Sequence, residues 1–446
     1  MSSSGPLSPS PPAPSPDVLI VGGGVAGLAL AICLRRLHIP CRVFEAYPHL
    51  SETAGACLQI APNGINVLSA LGLKDEFVRR GKKCLQFRFC THRDEHVAEV
   101  PIDGDKHFGA DAIMAGRYQL HTMLARTLEA DGLAIEYGRR LRALEQHADG
   151  VTLTFEDGSS ATGAIVVGCD GLHSTTRQLL FPAVPKPDFL GYIGLGGVVP
   201  LSTLTPEQVA LTRIDQGTMT AMRGLVGVWY IAETGPSATG ERQLFVWTNF
   251  PLPLDMCNKA RTEMTPEQIC KEILEPLFGD WADPLPTLMR AVCREGLVRQ
   301  PIQGLGAELP HWSVERTLLI GDAAHATGPA GEGASVALED AQYLARLLKD
   351  VYSVKPGDAT VTAPSSAAIT AMFAQYDAHR RPRVVAINNE SRERCEEKRR
   401  VYTPWSAWMH NRMMSVILSV LVWWTGGVIG AEENAYKIPG YDTMFS

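Results

Sequence analysis

The sequence predicts an α/β fold built on a Rossmann-like parallel sheet that is discontinuous in the chain. A mixed β-sheet domain is inserted into it, and a helical region closes the C-terminal end. Three observations predict it. The run Val18-Leu19-Ile20-Val21 leads into Gly22, Gly24 and Gly27 and then into a helical pattern. A second apolar run, in "AIVVGCDGLHSTTRQLL" (164–180), ends at Asp170-Gly171. A third, in "TLLIGDAAHATGPAGEGASVALEDAQYLARLL" (317–348), ends at Gly321-Asp322 and precedes Gly331, Gly333, Ala334 and an unbroken helical pattern. Short continuous apolar runs of this kind are how strands buried on both faces read.

The first element fills G-x-G-x-x-G between a strand and a helix, and each glycine has a task. Gly22 permits the tight turn, Gly24 lets the backbone approach a pyrophosphate, and Gly27 lets helix and strand pack closely. The helix start offers free N–H groups and partial positive charge to phosphates. A second strand, "CRVFEA", ends at Glu45, eighteen residues after Gly27. That is near the usual interval for a carboxylate that hydrogen-bonds a ribose hydroxyl, and it favours FAD or NAD over NADP in this fold.

Composition excludes several classes. A net charge of −7 with 20% charged residues gives no nucleic-acid surface. The basic run 379–400 is interleaved with acids, as on a solvated helix. Ten cysteines are scattered without a CxxC pair or a neighbouring histidine cluster. They predict neither a metal site nor a disulfide scaffold, and suit a reducing, cytoplasmic setting. Residues 1–16 are Ser/Pro-rich without a basic residue and read as a disordered leader rather than a signal. Residues 413–430 form an apolar run of 18 residues without a charge. A helix docked on the protein or at a membrane interface, a membrane span, and a partner-binding segment all remain open for it, with Gly426-Gly427 expected to break the helix.

The three strand-end motifs, in this order, resemble those of the single-component flavoprotein monooxygenases of the p-hydroxybenzoate hydroxylase type. Two further stretches match, "AGACLQIAPNGINVLSALGL" (54–73) and "GRYQLHTMLARTL" (116–128). The resemblance implies FAD as the resident cofactor, with Glu45 on the adenosine ribose, Arg117 on FAD and Asp322 on the ribityl chain. Gly55 and Ala56 would lie where the family crosses the flavin. Gly331, Gly333 and Ala334 would let backbone N–H groups and a helix dipole face the ring. Asp170 would contact FAD or a transient NAD(P)H, or else form an ion pair with Arg177 that fixes its turn. His325 reads as a packed histidine and Glu332 as solvent-facing.

The resemblance also implies a reaction. NAD(P)H would reduce the flavin, O₂ would form a C4a-hydroperoxide, and the outer oxygen would go to a small-molecule substrate held in a dry chamber. The domains expected are 17–180 and 301–385 for FAD, 181–300 for the substrate sheet and 386–446 for the helical region. Within the sheet, Arg223 and Tyr230 are weak catalytic candidates, and Trp247 and Asn249 are lining candidates. Gly196-Gly197 stands where salicylate-type relatives carry an arginine, which points to a bulky aromatic, polyketide or isoprenoid metabolite. A flavin oxidoreductase without oxygen insertion, or a non-catalytic membrane-tethered flavoprotein, would share the motifs. Labelled O₂ and substrate-stimulated NAD(P)H consumption separate these alternatives.

Overall fold

A computed structural model describes residues 15–426 except 51–56, 103, 238, 307, 327–330 and 353–360. Its organising element is a six-stranded sheet, in the order Ser313–Val314, Thr317–Leu319, Ile165–Gly168, Val18–Val21, Cys41–Phe44, Ile135–Glu136. All neighbours are parallel except the Ser313–Val314 edge. Val21 stands opposite both Gly168 and Phe44, and Gly168 stands opposite Leu319. The three strands singled out in the sequence are therefore adjacent, and their C-terminal tips finish side by side. In open α/β sheets that edge is where ligands bind.

The strand Val18–Val21 is buried at every position because helices Val25–Arg36 and Gly333–Tyr352 cover one face. On the other face, Leu19, Val21 and Val166 pack on a three-stranded antiparallel sheet of residues 141–163. Each fully buried aliphatic side chain there contributes about 1.5–3 kcal/mol.

The inserted sheet has seven strands, in the order Val298–Gly304, Asp188–Pro200, Gln243–Pro251, Val228–Thr234, Thr218–Arg223, Gln86–Thr91, His96–Pro101. It is mixed, since Thr218–Arg223 and Gln86–Thr91 run parallel while the other pairs are antiparallel. It also extends beyond residues 181–300, taking in two strands from upstream. That pairing spans more than a hundred residues, and no local pattern announces it.

One face of this sheet, with Ile193, Leu195, Trp229 and Phe250, packs on helices between residues 254 and 295. The opposite face carries Phe245, Trp247 and Ala232 and packs toward Cys84, Ala112 and Met114 of a small three-stranded sheet. The described residues close with helix Ser366–Arg399 and helix Pro404–Thr425. The second closes on Gly426 in the left-handed region at φ 68°, which is the break expected at Gly426-Gly427.

Candidate active site

The glycine loop is shaped by contacts that leave no choice of residue. Gly22 has φ +110°, and a Cβ there would fall 2.4 Å from the Cys169 carbonyl oxygen at the neighbouring strand tip. A Cβ on Gly27 would meet the Gly22 carbonyl oxygen at 2.0 Å, so the helix can approach the strand only without one. At Gly24 a Cβ would meet nothing within 4 Å. The backbone there faces open space at the start of a twelve-residue helix, the geometry that admits a phosphate. Glu45 lies beside the loop, where its carboxylate accepts the Gly23 N–H at 2.7 Å and the Tyr47 N–H at 2.9 Å.

Helix Arg117–Ala130 braces the same loop from across the cleft. His121 Nε2 lies 2.5 Å from the Gly23 carbonyl oxygen, and Arg117, one turn earlier, is exposed. The sequence reading missed His121, although its i, i+4 relation to Arg117 places both on one helix face.

The second tip is bonded internally. Asp170 accepts from the Ser174 hydroxyl, at 2.5 Å, and from the Thr176 N–H and hydroxyl, at 2.9 and 3.0 Å. It so holds the first turn of helix Thr175–Leu180, whose N-cap Ser174 accepts from the Arg177 N–H. Arg177 makes no hydrogen bond to Asp170. It is buried and donates to the carbonyls of Leu172 and Ala323, at 2.5 and 2.9 Å, so it ties the second tip to the third. The ion pair considered for Asp170 and Arg177 is replaced by bonds to the helix's first turn and a strut. The reason is that a carboxylate at the end of a strand finds helix N–H groups closer than a guanidinium three residues inside the helix.

At the third tip Asp322 opens a short helix, Asp322–His325, and its side chain is reached by solvent. Crowding by the surrounding protein pushes its carboxyl above the usual carboxylate range, against the pull of His325, Arg117 and Arg177. Those three cationic or ionisable groups therefore share one electrostatic neighbourhood with it. Behind the turn, the buried Asp340 accepts from His325 Nε2 at 2.5 Å, Gly321 N–H at 3.0 Å and Arg380 Nε at 2.9 Å. Burial raises the Asp340 carboxyl, but His325, Arg380 and these hydrogen bonds outweigh it and hold it well below the usual range. Arg380 also pairs with Glu339 at 2.8 Å, and Glu339 accepts from Arg383 and Asn63. His325 is thus the packed, hydrogen-bonded residue expected from the sequence, and it fixes the turn that presents Asp322.

Gly331 has φ +93°, and Gly333 begins helix Gly333–Tyr352, with Ala334 half-buried against the core. Glu332 between them departs from the solvent-facing expectation. Its side chain is only 19% exposed and pairs with Arg394 at 2.8 Å. The partner comes from helix Ser366–Arg399, whose position the sequence does not give. Gly55 and Ala56 lie outside the described residues.

On the inserted sheet, Asn249 pairs with Gly194 and Val228, while Trp247 pairs with Gly196 and Tyr230. Since side chains alternate across a strand, Arg223, Tyr230, Trp247 and Asn249 all share one face. The Trp247 indole lies across Gly194 and Gly196, where an added Cβ would fall 2.4 and 2.7 Å from its ring. Phe245 stacks beside it, with ring centroids 6.2 Å apart and planes 14° from parallel. Gly197 points the other way, toward the helices. The position noted for its missing arginine is therefore occupied by an aromatic plate resting on glycine. Arg223 is tied to Glu397 at 2.9 Å, and the Tyr230 ring carries Lys398 Nζ at 5.9 Å. A cavity of about 500 Å³ opens at the Ala232 end of this face, lined by Cys84, Met114 and Ala232 together with Lys82, Lys83, Asp215, Glu233 and Arg242, and not by Trp247 or Phe245. Its cations Lys82 and Arg242 pair with Glu233, and Lys83 pairs with Asp111.

Comparison with known proteins decides the family. The family model described as "FAD binding domain" matches residues 15–384. The chain is 31% identical to 3-amino-4-hydroxybenzoate 2-monooxygenase of Streptomyces cremeus, covering 85% of this chain and 87% of that protein. This protein belongs to the FAD-dependent monooxygenases of that family. FAD-dependent urate hydroxylase of Klebsiella pneumoniae is 25% identical, over 85% of this chain and 89% of its own length. The fold matches that of Klebsiella pneumoniae HpxO, solved with FAD and uric acid, at a TM-score of 0.75 and 22% identity, covering 91% of this chain and 95% of the other.

The residues of this monooxygenase suit FAD on their own evidence. The open backbone at Gly24, the accessible carboxylate of Asp322 and the exposed guanidinium of Arg117 converge on one end of one sheet. Among the described residues no group of histidine, cysteine, aspartate and glutamate could hold a metal ion.

Proposed function

We propose that this FAD-dependent monooxygenase uses NAD(P)H and O₂ to hydroxylate or epoxidise a bulky aromatic, polyketide or isoprenoid metabolite in secondary metabolism. The observation that carries the substrate class is the aromatic face. Trp247 and Phe245 form a stacked plate on Gly194 and Gly196, and the one arginine of that group, Arg223, is neutralised by Glu397. A planar apolar molecule gains from such a surface, whereas a small aromatic acid finds no unpaired cation among these residues. A cavity of about 500 Å³ is in the size range of small-molecule sites.

In this reading Gly22, Gly24 and Gly27 give the pyrophosphate its approach, and Glu45 accepts from the adenosine ribose. Arg117 offers charge to FAD. Asp322 accepts from the ribityl hydroxyls, held in place by His325, Asp340 and the Arg177 strut. Gly331, Gly333 and Ala334 present backbone N–H groups and a helix N-terminus to the ring. Charge that gathers at that edge meets a fixed dipole requiring no reorganisation. Asp170 contributes by fixing its turn. When bound, FAD supplies oxygen activation after reduction by NAD(P)H; the protein supplies position and the exclusion of water.

All ten cysteines are free, and nine are buried, which supports a reducing, cytoplasmic setting. Association with a membrane through the apolar segment 413–430 completes this reading, although residues 427–430 lie outside the described ones. Stopped-flow reduction over a panel of neutral aromatic, polyketide and isoprenoid compounds tests it, followed by turnover under labelled O₂. Acceleration by a neutral polycyclic compound and one labelled oxygen atom in its product are expected. Acceleration only by small aromatic acids overturns the substrate class, and unlabelled product overturns oxygen insertion.

A further inference from the structure

We propose that helix Pro404–Thr425 lies in the plane of a lipid bilayer, its outward stripe sunk among the acyl chains of one leaflet. The proposal rests on the membrane association just given and supplies its geometry. The helix has no buried residue, and it carries ten of the seventeen exposed large hydrophobic residues described. Most of them fall on one stripe. Met413, Val416, Val420 and Trp423 recur at three- and four-residue intervals, which places them on one helix face, and Trp405 and Trp408, three residues apart, lie in the turns before them. They are 51–80% exposed.

The residues between them are less exposed and more polar, among them Ser406, His410, Asn411 and Ser415. The helix packs beside His96–Pro101, the edge strand of the seven-stranded sheet. Its amphipathicity is therefore inverted. A helix on a water-facing surface turns its apolar stripe to the core, and this one turns it away.

The chemistry of the stripe selects lipid as the occupant. Four tryptophans, 405, 408, 423 and 424, flank a middle of Met, Val, Ile and Leu. Indoles sit well where an apolar body meets a wet rim, because the ring inserts while the N–H keeps a polar partner. Arg412 is the one formally charged residue of the helix, and its guanidinium lies 5.8 Å from the Trp408 ring centroid. From there the long stem can carry it to headgroup phosphates. Among the described residues no helix is long and apolar enough to cross a membrane. A helix with its apolar side chains turned outward can lie in the plane of one leaflet.

The helix is also fixed to the enzyme. Tyr402 N–H donates to the Leu225 carbonyl at 2.8 Å, and Val401 bridges to Val226. His410 Nε2 stands 3.5 Å from Glu397, the carboxylate that holds Arg223 at the rim of the aromatic face. Lipid contact would therefore set the orientation of the chamber relative to the bilayer.

The test uses the full-length FAD-loaded enzyme and vesicles of phosphatidylcholine with a minority of phosphatidylglycerol. Flotation is expected to carry the enzyme up with the vesicles, with tryptophan fluorescence quenched by lipids brominated on the acyl chain. The triple variant Val416→Asp, Val420→Asp, Trp423→Ser should float at least about tenfold less, because acidic groups resist transfer into the leaflet. Its flavin content and melting temperature should match the parent's, since these side chains face solvent. Recovery of the parent at the bottom of the gradient overturns both association and insertion. Flotation that the triple variant retains, or that occurs without acyl-chain quenching, overturns the in-plane insertion and leaves association standing. A dimer in light scattering that the variant abolishes, with no flotation, assigns the stripe to a second copy and overturns the proposal. None of these readouts depends on oxygen insertion, which labelled O₂ reports in vesicle-free solution.

Discussion

The two sheets of this enzyme solve different problems. At the tips of the six-stranded sheet, backbone atoms carry the site. Gly22 and Gly27 are fixed by distances to neighbouring main chain, Gly24 leaves its backbone open to space, and Asp322 is presented by a buried lattice of charges behind it. On the seven-stranded sheet, side chains carry the site, and each depends on a partner from a distant strand or helix: Trp247 on Gly194, Arg223 on Glu397, Tyr230 beneath Lys398. A site made of backbone tolerates few sequences, while a face made of side chains can be rebuilt for another substrate without disturbing the first. The comparison predicts that changes at the tips remove flavin and that changes on the aromatic face spare flavin and alter substrate response.

The largest effect is expected from Gly27→Val. Its Cβ would overlap a carbonyl oxygen at 2.0 Å, and main chain on both sides cannot yield. The purified variant should show no visible flavin absorbance even after incubation with excess FAD. Full flavin content would break the comparison at its foundation.

Next comes Asp340→Asn. Replacing this carboxylate by an amide removes the charge that balances the buried Arg380 and leaves one accepting oxygen where two served Arg380 and His325, which costs about 3–5 kcal/mol. Chemical denaturation should show it directly. The parent should also show it in its pH dependence. Asp340 is held below its unfolded value, so its contribution is complete above roughly pH 4 and disappears as pH falls through the lower folded value. The variant's stability should therefore be flatter than the parent's in acid.

Asp322→Asn tests the tip without disturbing the lattice behind it. Charged acceptors strengthen hydrogen bonds, and if Asp322 accepts from the ribityl chain as proposed, losing that charge should weaken FAD by about a hundredfold with little change in melting of the FAD-free protein. The carboxyl of the FAD-free protein is raised by crowding, and hydroxyl donors would lower it. Parent affinity for FAD should thus be full above that raised value and fall as pH drops through it, a dependence that Asn abolishes. Titration by fluorescence quenching at several pH values reads both.

On the other sheet, Gly194→Ala would place a methyl 2.4 Å from the Trp247 ring. The indole must tilt, at a cost of about 1–3 kcal/mol, and the plate it forms with Phe245 must open. Flavin content should be unchanged, while substrate-stimulated flavin reduction shifts by about tenfold. A loss of flavin here would erase the difference between the sheets.

That difference also explains what could be read in the sequence. Glycine spacing, strand-end carboxylates and apolar runs are local patterns, so the three tips, Glu45 and Asp322 were legible, and the strands indeed lie side by side. The bonds of Asp170 to Ser174 and Thr176 were not among the sequence readings, which weighed a cofactor contact against an ion pair with Arg177. Ser174, Thr176 and Arg177 all fall within reach of its turn, and spacing alone cannot separate them. The salt bridge of Glu332 to Arg394 and the anchoring of Arg223 were hidden, because both partners come from one helix more than sixty residues away whose placement only tertiary packing decides. The strands at 86–101 joined the seven-stranded sheet for the same reason.

The smallest effect sharpens the comparison where the two regions meet the C-terminal segment. Glu397 accepts from Arg223 at 2.9 Å and from the Tyr402 hydroxyl and pairs with Arg400 at 3.0 Å, and both arginines are partly exposed. Glu397→Gln keeps a hydrogen-bond acceptor but removes the charge, so stability should move by no more than about 1 kcal/mol. Arg223 would then stand at the rim of the aromatic face without a counter-charge. Flavin content should stay at the parent value, and the response to small aromatic acids should rise relative to neutral compounds, since a free guanidinium suits a carboxylate. An unchanged preference in the flavin-reduction assay would show that Arg223 lies outside the substrate's reach, and would confine the specificity surface to the plate of Trp247 and Phe245.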